Sequence, residues 1–487
     1  MQNHTISQGP HQQGKTGRDG LPHEKTDFGV LKRMRSILNP PESQDELKRL
    51  HEDDVDTIWF GVQKTQYDCR FLDYGRYVQL LQESPPSNKI KYPQLVSFVG
   101  ATNAGKSTLI DMLIKYQEDK LEPKPSSPFP SPVVGSLVHD SLPTSGDVHL
   151  YADPGTYCTN MPILYADSEG LGGGEKLPVG ISIRHANDDQ PRREPRSSEG
   201  RSRTIQWATN SYYRKRETAV AQLYPRILYT FSDVVVFVLT EPKLFESSVL
   251  LRLLDWGAAS LEKSTNQPAL PHIIIVLNAT DVGVDQRDWE TKFATDNLLS
   301  SVRGAFDHHT GVPELKEHKR TWERRGKRID TIKDLILCYY SSFEVLRIPV
   351  KGRYMLIQQQ ITKLHHAIQD GCDDSFWVRR MARMLPNSDE LSVYLQAAFD
   401  HFTTDLDIPF NFVEVSLRSN SIPVDFGSHI LQLATYVQRV TKKQPAWVFK
   451  RLSVIVASSI FLDCIRYRKG DVVPFIERLA DQVSRLS

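Results

Sequence analysis

The chain has 487 residues, 39% of them apolar and 24% charged, with a formal net charge of +1 at pH 7. That length exceeds one simple core and predicts two domains with flexible ends, while the near-neutral balance excludes a globally basic nucleic-acid or polyanion binder. The five cysteines (Cys69, Cys158, Cys338, Cys372, Cys464) are scattered without a Cys-x-x-Cys pair, which argues against a disulfide framework or a zinc site and predicts a reducing, cytoplasmic compartment.

The opening MQNHTISQGPHQQGKTG lacks the apolar core of a secretory signal. No run of about 18 apolar residues exists, so no transmembrane segment is expected. Residues 1–45, rich in Gly, Gln, Pro, Ser and charge, read as a disordered tail. Over 46–90 the patterns ELKRLHEDDVDTIWFGVQ and FLDYGRYVQLLQ predict short helices joined by a turn, followed by the linker ESPPSNKIKYP.

Short apolar runs then predict strands: QLVSFVG (94–100), DVHLYAD (147–153), PILYAD (162–167), DVVVFVLT (233–240), HIIIVLN (272–278) and LILCYYSS (335–342). The runs at 94, 233 and 272 are nearly continuous, as strands buried on both faces require. Helical patterns at 106–116, 217–231, 245–260 and 288–305 lie between the runs. Such alternation predicts an α/β domain over 91–350, a mostly parallel doubly wound sheet with helices on both faces. The runs DVHLYAD and PILYAD are separated only by PGTYCTNM, too short for a helical crossover, so one antiparallel edge strand is expected. Past Pro349, YMLIQQQITKLHHAI places Tyr354, Ile357, Ile361, Leu364 and Ile368 on one helical face. Further patterns at 390–404, 428–440, 447–465 and 474–485 extend a helical domain over 351–487.

Three strand ends carry chemistry. GATNAGKST (100–108) follows a strand, opens a helix and matches G-x-x-x-x-G-K-S/T. Its residues Gly100, Ala101, Thr102, Asn103, Ala104 and Gly105 form a turn whose N–H groups can cradle phosphates at a helix N-terminus. Lys106 can bridge the outer phosphates, Ser107 can bind Mg²⁺, and Thr108 closes the nucleotide-binding run. In ILYADSEGLGGGE, Asp167 can hold an Mg²⁺-bound water and the Gly170 N–H can sense the terminal phosphate. In IIIVLNATD, the Asp281 carboxylate can accept from the paired N–H donors of guanine, with Asn278 at the same strand tip, although Ala279 stands where a lysine is usual. The same N-x-x-D pattern also suits a turn capping the next helix. Ser341 and Ser342 are positional candidates for a base-side loop.

These motifs, with FPSPVVGSLVHDSLPTSGDVHLY and PILYADSEGLGGGE, resemble a P-loop GTPase domain of the guanylate-binding-protein, atlastin and very-large-inducible-GTPase group of the dynamin superfamily, over roughly residues 90–350. The resemblance implies Mg²⁺-dependent GTP binding and hydrolysis with slow or partner-stimulated turnover. It implies that Thr144 is the switch threonine on Mg²⁺, and that copies associate across the nucleotide face as a homodimer. The family's phosphate-loop arginine is replaced by Asn103. An asparagine there resembles potassium-stimulated GTPases and implies a K⁺ near Asn103, against a hydrogen bond within its own loop. Leu171 stands where Ras-type enzymes carry a water-positioning glutamine. A non-hydrolysing GTP-binding scaffold and an ATPase using the same loop stay open.

Residues 182–206 form a basic insertion. From Arg184 to Arg216 there are nine Arg or Lys against four Asp or Glu. A solvated insert is one reading; a contact for an acidic protein, RNA or anionic lipid is the other.

Overall fold

Alternation inside the apolar runs builds the sheet. In strand β3 (Gln94–Gly100) Val96 and Phe98 enter one core while Leu95 and Val99 enter the other. Strand β7 (Val234–Leu239) repeats this, with Val234, Val236 and Val238 on the first side and Val235, Phe237 and Leu239 on the second. Period two with every position buried is what a sheet covered on both faces demands. The computed structural model describes residues 24–39, 43–64, 68–86, 89–134, 146–173, 178, 180–182, 201–261, 269–302, 312–381, 384–419 and 426–466.

Among the described residues the sheet has nine strands. The remaining seven are β1 (Ile58–Lys64), β2 (Cys69–Asp73), β4 (Val148–Ala152), β5 (Ile163–Ser168), β6 (Arg201–Thr204), β8 (His272–Thr280) and β9 (Phe343–Pro349), and the order is β6-β2-β1-β4-β5-β3-β7-β8-β9. The four pairings from β5 through β3, β7 and β8 to β9 are parallel. The four from β6 through β2, β1 and β4 to β5 are antiparallel.

The expectation of a mostly parallel sheet with one antiparallel edge strand is therefore corrected: the sheet is mixed. The β4–β5 hairpin forms as expected, with His149 opposite Asp167, but β4 is interior. The strands that cover it come from 58–73, a stretch whose sequence suggests helix. Helices α2 (Gln44–Asp53) and α3 (Arg76–Glu83) are present, yet IWFGVQK and CRFLD between them are extended. Ile58, Trp59, Phe60 and Val62 are all buried, so the segment shows a continuous apolar run that periodicity cannot separate from a buried helix.

Two other element assignments change. Within the expected tail, Phe28–Leu38 is a helix (α1), N-capped by Asp27 and burying Met34 and Ile37. LILCYYSS is not a strand. A capping box between Thr331 and Asp334 starts a short helix at Ile332–Ile336, and the last strand begins at Phe343.

Helices cover both faces. Helix α4 (Lys106–Glu118) lies with α1 over the Val96 side. The long helix Tyr354–Met381 joins them through Ile357, Ile361, Leu364, Ile368 and Cys372. Helix Ser388–Thr404 joins the opposite core through Leu391, Leu395, Phe399 and Phe402. The change of character past Pro349 is thus a change of element type without a break in packing. Helices Phe426–Thr441 and Pro445–Arg466 share a small cluster of their own, around Leu433, Val437, Val448 and Leu452. The expected helix at 474–485 lies outside the described residues.

Candidate functional site

Strand β3 delivers the chain to the corner where α4 begins. Gly105 is the residue before the helix, with φ +92°, and a Cβ there would stand 2.2 Å from the Asn278 amide nitrogen. Asn103 also has positive φ, 61°, a conformation asparagine tolerates better than most residues. Among the described residues, neither a side-chain cap nor an acidic residue occupies the first turn of α4. Its first-turn N–H groups and positive dipole end therefore face the loop, the arrangement that binds anions.

Two side chains of this first turn point into the corner. Lys106 is buried, and its Nζ donates to the Ala101 carbonyl oxygen at 3.1 Å. Burial pulls its pKa below the usual lysine value, while Asp167 and Glu169 favour the charge. The Ser107 hydroxyl donates to Oδ2 of Asp167 at 2.7 Å. Asp167 is wholly buried at the end of β5; burial raises its pKa, against Lys106 and the Ser107 hydrogen bond.

The turn after β5 is pressed against the glycine-bracketed turn that follows β3. The Leu171 N–H donates to the Gly100 carbonyl at 2.9 Å, and the Thr102 N–H to the Leu171 carbonyl at 3.0 Å. Gly170 sits between: a Cβ there would lie 2.4 Å from Thr102 Cα, so only glycine fits. The Leu171 side chain is buried.

On the neighbouring strand end, the Asn278 amide donates to the Ala104 carbonyl at 2.8 Å and braces the loop. Ala279 has φ 52°, unusual for a residue with a Cβ. Asp281 is exposed, and its Oδ1 accepts from the Gly283 N–H at 2.7 Å, the turn-capping contact that its sequence pattern also allows. Ser341 and Ser342 do not belong here. They precede β9, at the opposite end of the sheet, where the Ser341 N–H donates to the Pro271 carbonyl at 3.0 Å and Ser342 Oγ meets His272 Nδ1 at 2.8 Å. The segment beside Thr280 is the one after Pro349, where the Val350 N–H donates to the Thr280 carbonyl at 3.0 Å. Gly352, with φ +121°, is the sequence signal for that turn.

The structure thus brings together Gly100 through Thr108, Asp167, Gly170 and Asn278, with Asp281 at the tip of the same strand end. Thr144 lies outside the described residues, as does 183–200 of the basic insertion. The described end of the insertion is β6, whose Arg203 donates from Nη2 to Gln396 at 2.7 Å and from Nε to Asp400 at 2.5 Å. Sequence reasoning misses one buried group, Arg216, which meets Glu169 of the DSEG turn. In sequence it only opens the next helix with Arg214 and Lys215, and nothing local distinguishes it from them.

The hydroxyl of Ser107 and the carboxylate of Asp167 are hard oxygen donors of the kind Mg²⁺ takes. Among the described residues, no cluster of three or more His, Cys, Asp or Glu could hold a metal by itself. These two protein oxygens would leave most of an octahedral Mg²⁺ shell to other donors. No helix among the described residues is long and apolar enough to cross a membrane.

No family model matches the chain. No curated protein matches it either. Among solved structures it is similar to a chain of the signal recognition particle receptor SRb-GTP/SRX complex from Chaetomium thermophilum, at 14% identity and a TM-score of 0.22, over 53% of this chain and 91% of that one. A likeness this low carries neither fold nor ligand across.

Proposed function

We propose that this corner binds Mg²⁺-GTP and that the chain is a GTP-dependent conformational switch of the dynamin-superfamily kind, with slow or partner-stimulated hydrolysis. One observation carries the reading: the positive end of α4, with Lys106 and Ser107 in its first turn, faces Asp167 and a Gly170 that only glycine can occupy. In this reading Gly100 to Thr108 surround the phosphates. Ser107 and Thr144 would hold Mg²⁺ and Asp167 one of its waters; the ion would neutralise charge on the phosphate oxygens. Gly170 would touch the terminal phosphate, and Asp281 would read guanine. Loss of the terminal phosphate would release the segments around Thr144 and Gly170.

A nucleotide-dependent homodimer, a K⁺ near Asn103, and an acidic protein, RNA or anionic lipid at the insertion belong to the same proposal. Cytoplasmic residence belongs to it as well. GTP turnover per molecule, measured against protein concentration in potassium and in sodium, tests it with Lys106→Ala as control. Specific activity rising with concentration supports hydrolysis with self-association. Equal rates in the two salts remove the K⁺.

A non-hydrolysing GTP-binding scaffold is the second reading. It is favoured by Leu171, whose side chain is buried and whose backbone is committed to the phosphate loop, leaving no water-positioning group at that place. GTP binding without phosphate release at any concentration would favour it over the first.

A further inference from the structure

Behind the turn that faces the phosphate loop lies a buried cation. Arg216 donates from Nε to both oxygens of Glu169, at 3.1 and 3.0 Å, and from Nη1 to the Val62 carbonyl at 2.7 Å. Its Nη2 reaches Oδ1 of Asp147 at 2.7 Å and Oε2 of Glu169. The two acids are tied to each other as well. The Glu169 N–H donates to the Asp147 carbonyl at 3.0 Å, and the Asp147 N–H to Glu169 Oε2 at 3.0 Å. Arg216, Glu169 and Asp147 are 8%, 3% and 4% exposed.

Burial works against the charge on Arg216, but Asp147, Tyr224 and Glu169 outweigh it and hold the guanidinium well above its ordinary value. The group stays a cation throughout the pH range of any binding measurement.

The position of this fork matters more than its existence. Glu169 immediately precedes Gly170, and Leu171 immediately follows it. On the far side, Leu171 is fastened to Gly100 and Thr102 by two backbone hydrogen bonds. On the near side, Glu169 is fastened through the Arg216 and Asp147 network. The fork therefore holds the turn that the nucleotide reading assigns to the terminal phosphate.

We propose that Arg216 is a positioning residue for recognition of the terminal phosphate. It fixes Glu169 and Asp147, and so aims the Gly170 N–H, which lets the site tell a guanosine triphosphate from a diphosphate. This rests on the nucleotide reading given above. A planar fork is needed because one group must satisfy two carboxylates and a carbonyl at fixed angles; an ammonium is a point charge and does not.

The experiment measures GTP and GDP affinities of the full chain with Mg²⁺, for wild type, Arg216→Lys and Glu169→Gln. Lysine keeps the charge and loses the fork. Glutamine keeps the shape of Glu169 and loses the charge. The expected result is a fall of about tenfold in GTP affinity, with GDP affinity changed by less than about threefold, as for one lost hydrogen bond to a charged group. The double variant should lose little more than the worse single, because the two residues act as one unit. A purely structural brace would weaken both nucleotides alike or neither, and either outcome overturns the proposal. Should Arg216→Lys fail to fold, the GTP-to-GDP ratio of Glu169→Gln decides in the same way. A wild-type chain that binds neither nucleotide overturns the nucleotide reading itself, whereas binding with an unchanged ratio in the variants overturns only the role of Arg216.

Discussion

The Ser107 hydroxyl donates to Asp167 Oδ2 across 2.7 Å, joining the first turn of one helix to the end of a strand sixty positions later in the chain. Two hard oxygens meet at the positive end of a helix, beside a buried lysine amine. In the proposed function, removing the hydroxyl should act through the metal. Ser107→Ala is expected to weaken GTP about tenfold or more in Mg²⁺ buffer and to match wild type once the metal is chelated. Titrations with and without chelator check this; an equal loss in both conditions would separate Ser107 from the metal.

Asp281 reads the base in the proposed function. Its carboxylate can accept from two guanine N–H groups, whereas an amide offers one acceptor and one donor. Asp281→Asn should cost roughly tenfold to a hundredfold in GTP affinity, the worth of one bidentate base contact. It should improve binding of xanthosine triphosphate, which presents a carbonyl where guanine has its amine. Competition against labelled nucleotide checks both halves. An unchanged preference for GTP over ATP would reduce Asp281 to the cap of the Gly283 turn.

His272 opens β8, buried against Ser342, and burial lowers its pKa from the ordinary 6.5; Asp374 and Asp233 oppose that shift and Arg379 adds to it. Below its ordinary value the unfolded chain takes the proton first. The stability contributed by neutral His272 is therefore complete above about pH 6.5 and is lost as pH falls toward the folded value. Melting curves from about pH 8 to about pH 5 should drop less steeply for His272→Gln than for wild type. Parallel curves would contradict this.

Leu364 tests whether the helix after Pro349 is part of the sheet's core. It is fully buried among Ile357, Ile361 and the β3 and β7 residues Val96 and Val236. Leu364→Ala should destabilise the chain by about 2–5 kcal/mol in denaturant titration. A loss below about 1 kcal/mol would mean that the helix is an independent unit.

Much of this site is legible in the order of the residues alone. The buried parallel strands announce themselves as continuous apolar runs, and the glycines, lysine and serine after Val99 mark the turn where a strand gives way to a helix. The antiparallel half of the sheet is hidden for a physical reason. Ile58 to Val62 is buried on both faces beside helical flanks, so neither alternation nor length marks it as a strand. LILCYYSS misleads in the reverse sense, since Leu335, Ile336, Tyr339 and Tyr340 are buried from a short helix and turn, and reading it as a strand carries Ser341 and Ser342 to the wrong end of the sheet. Arg216 and Glu169 are 47 positions apart, and only the tertiary fold reveals that a surface-looking arginine neutralises a buried turn.

Calorimetric titration of the full chain with Mg²⁺-GTP, beside Lys106→Ala, tests the phosphate corner most directly. Saturable heat at one site per chain, absent in the variant and competed by GDP but not by ATP, is the predicted result. No heat with any guanosine nucleotide, or equal heat in wild type and variant, would contradict it.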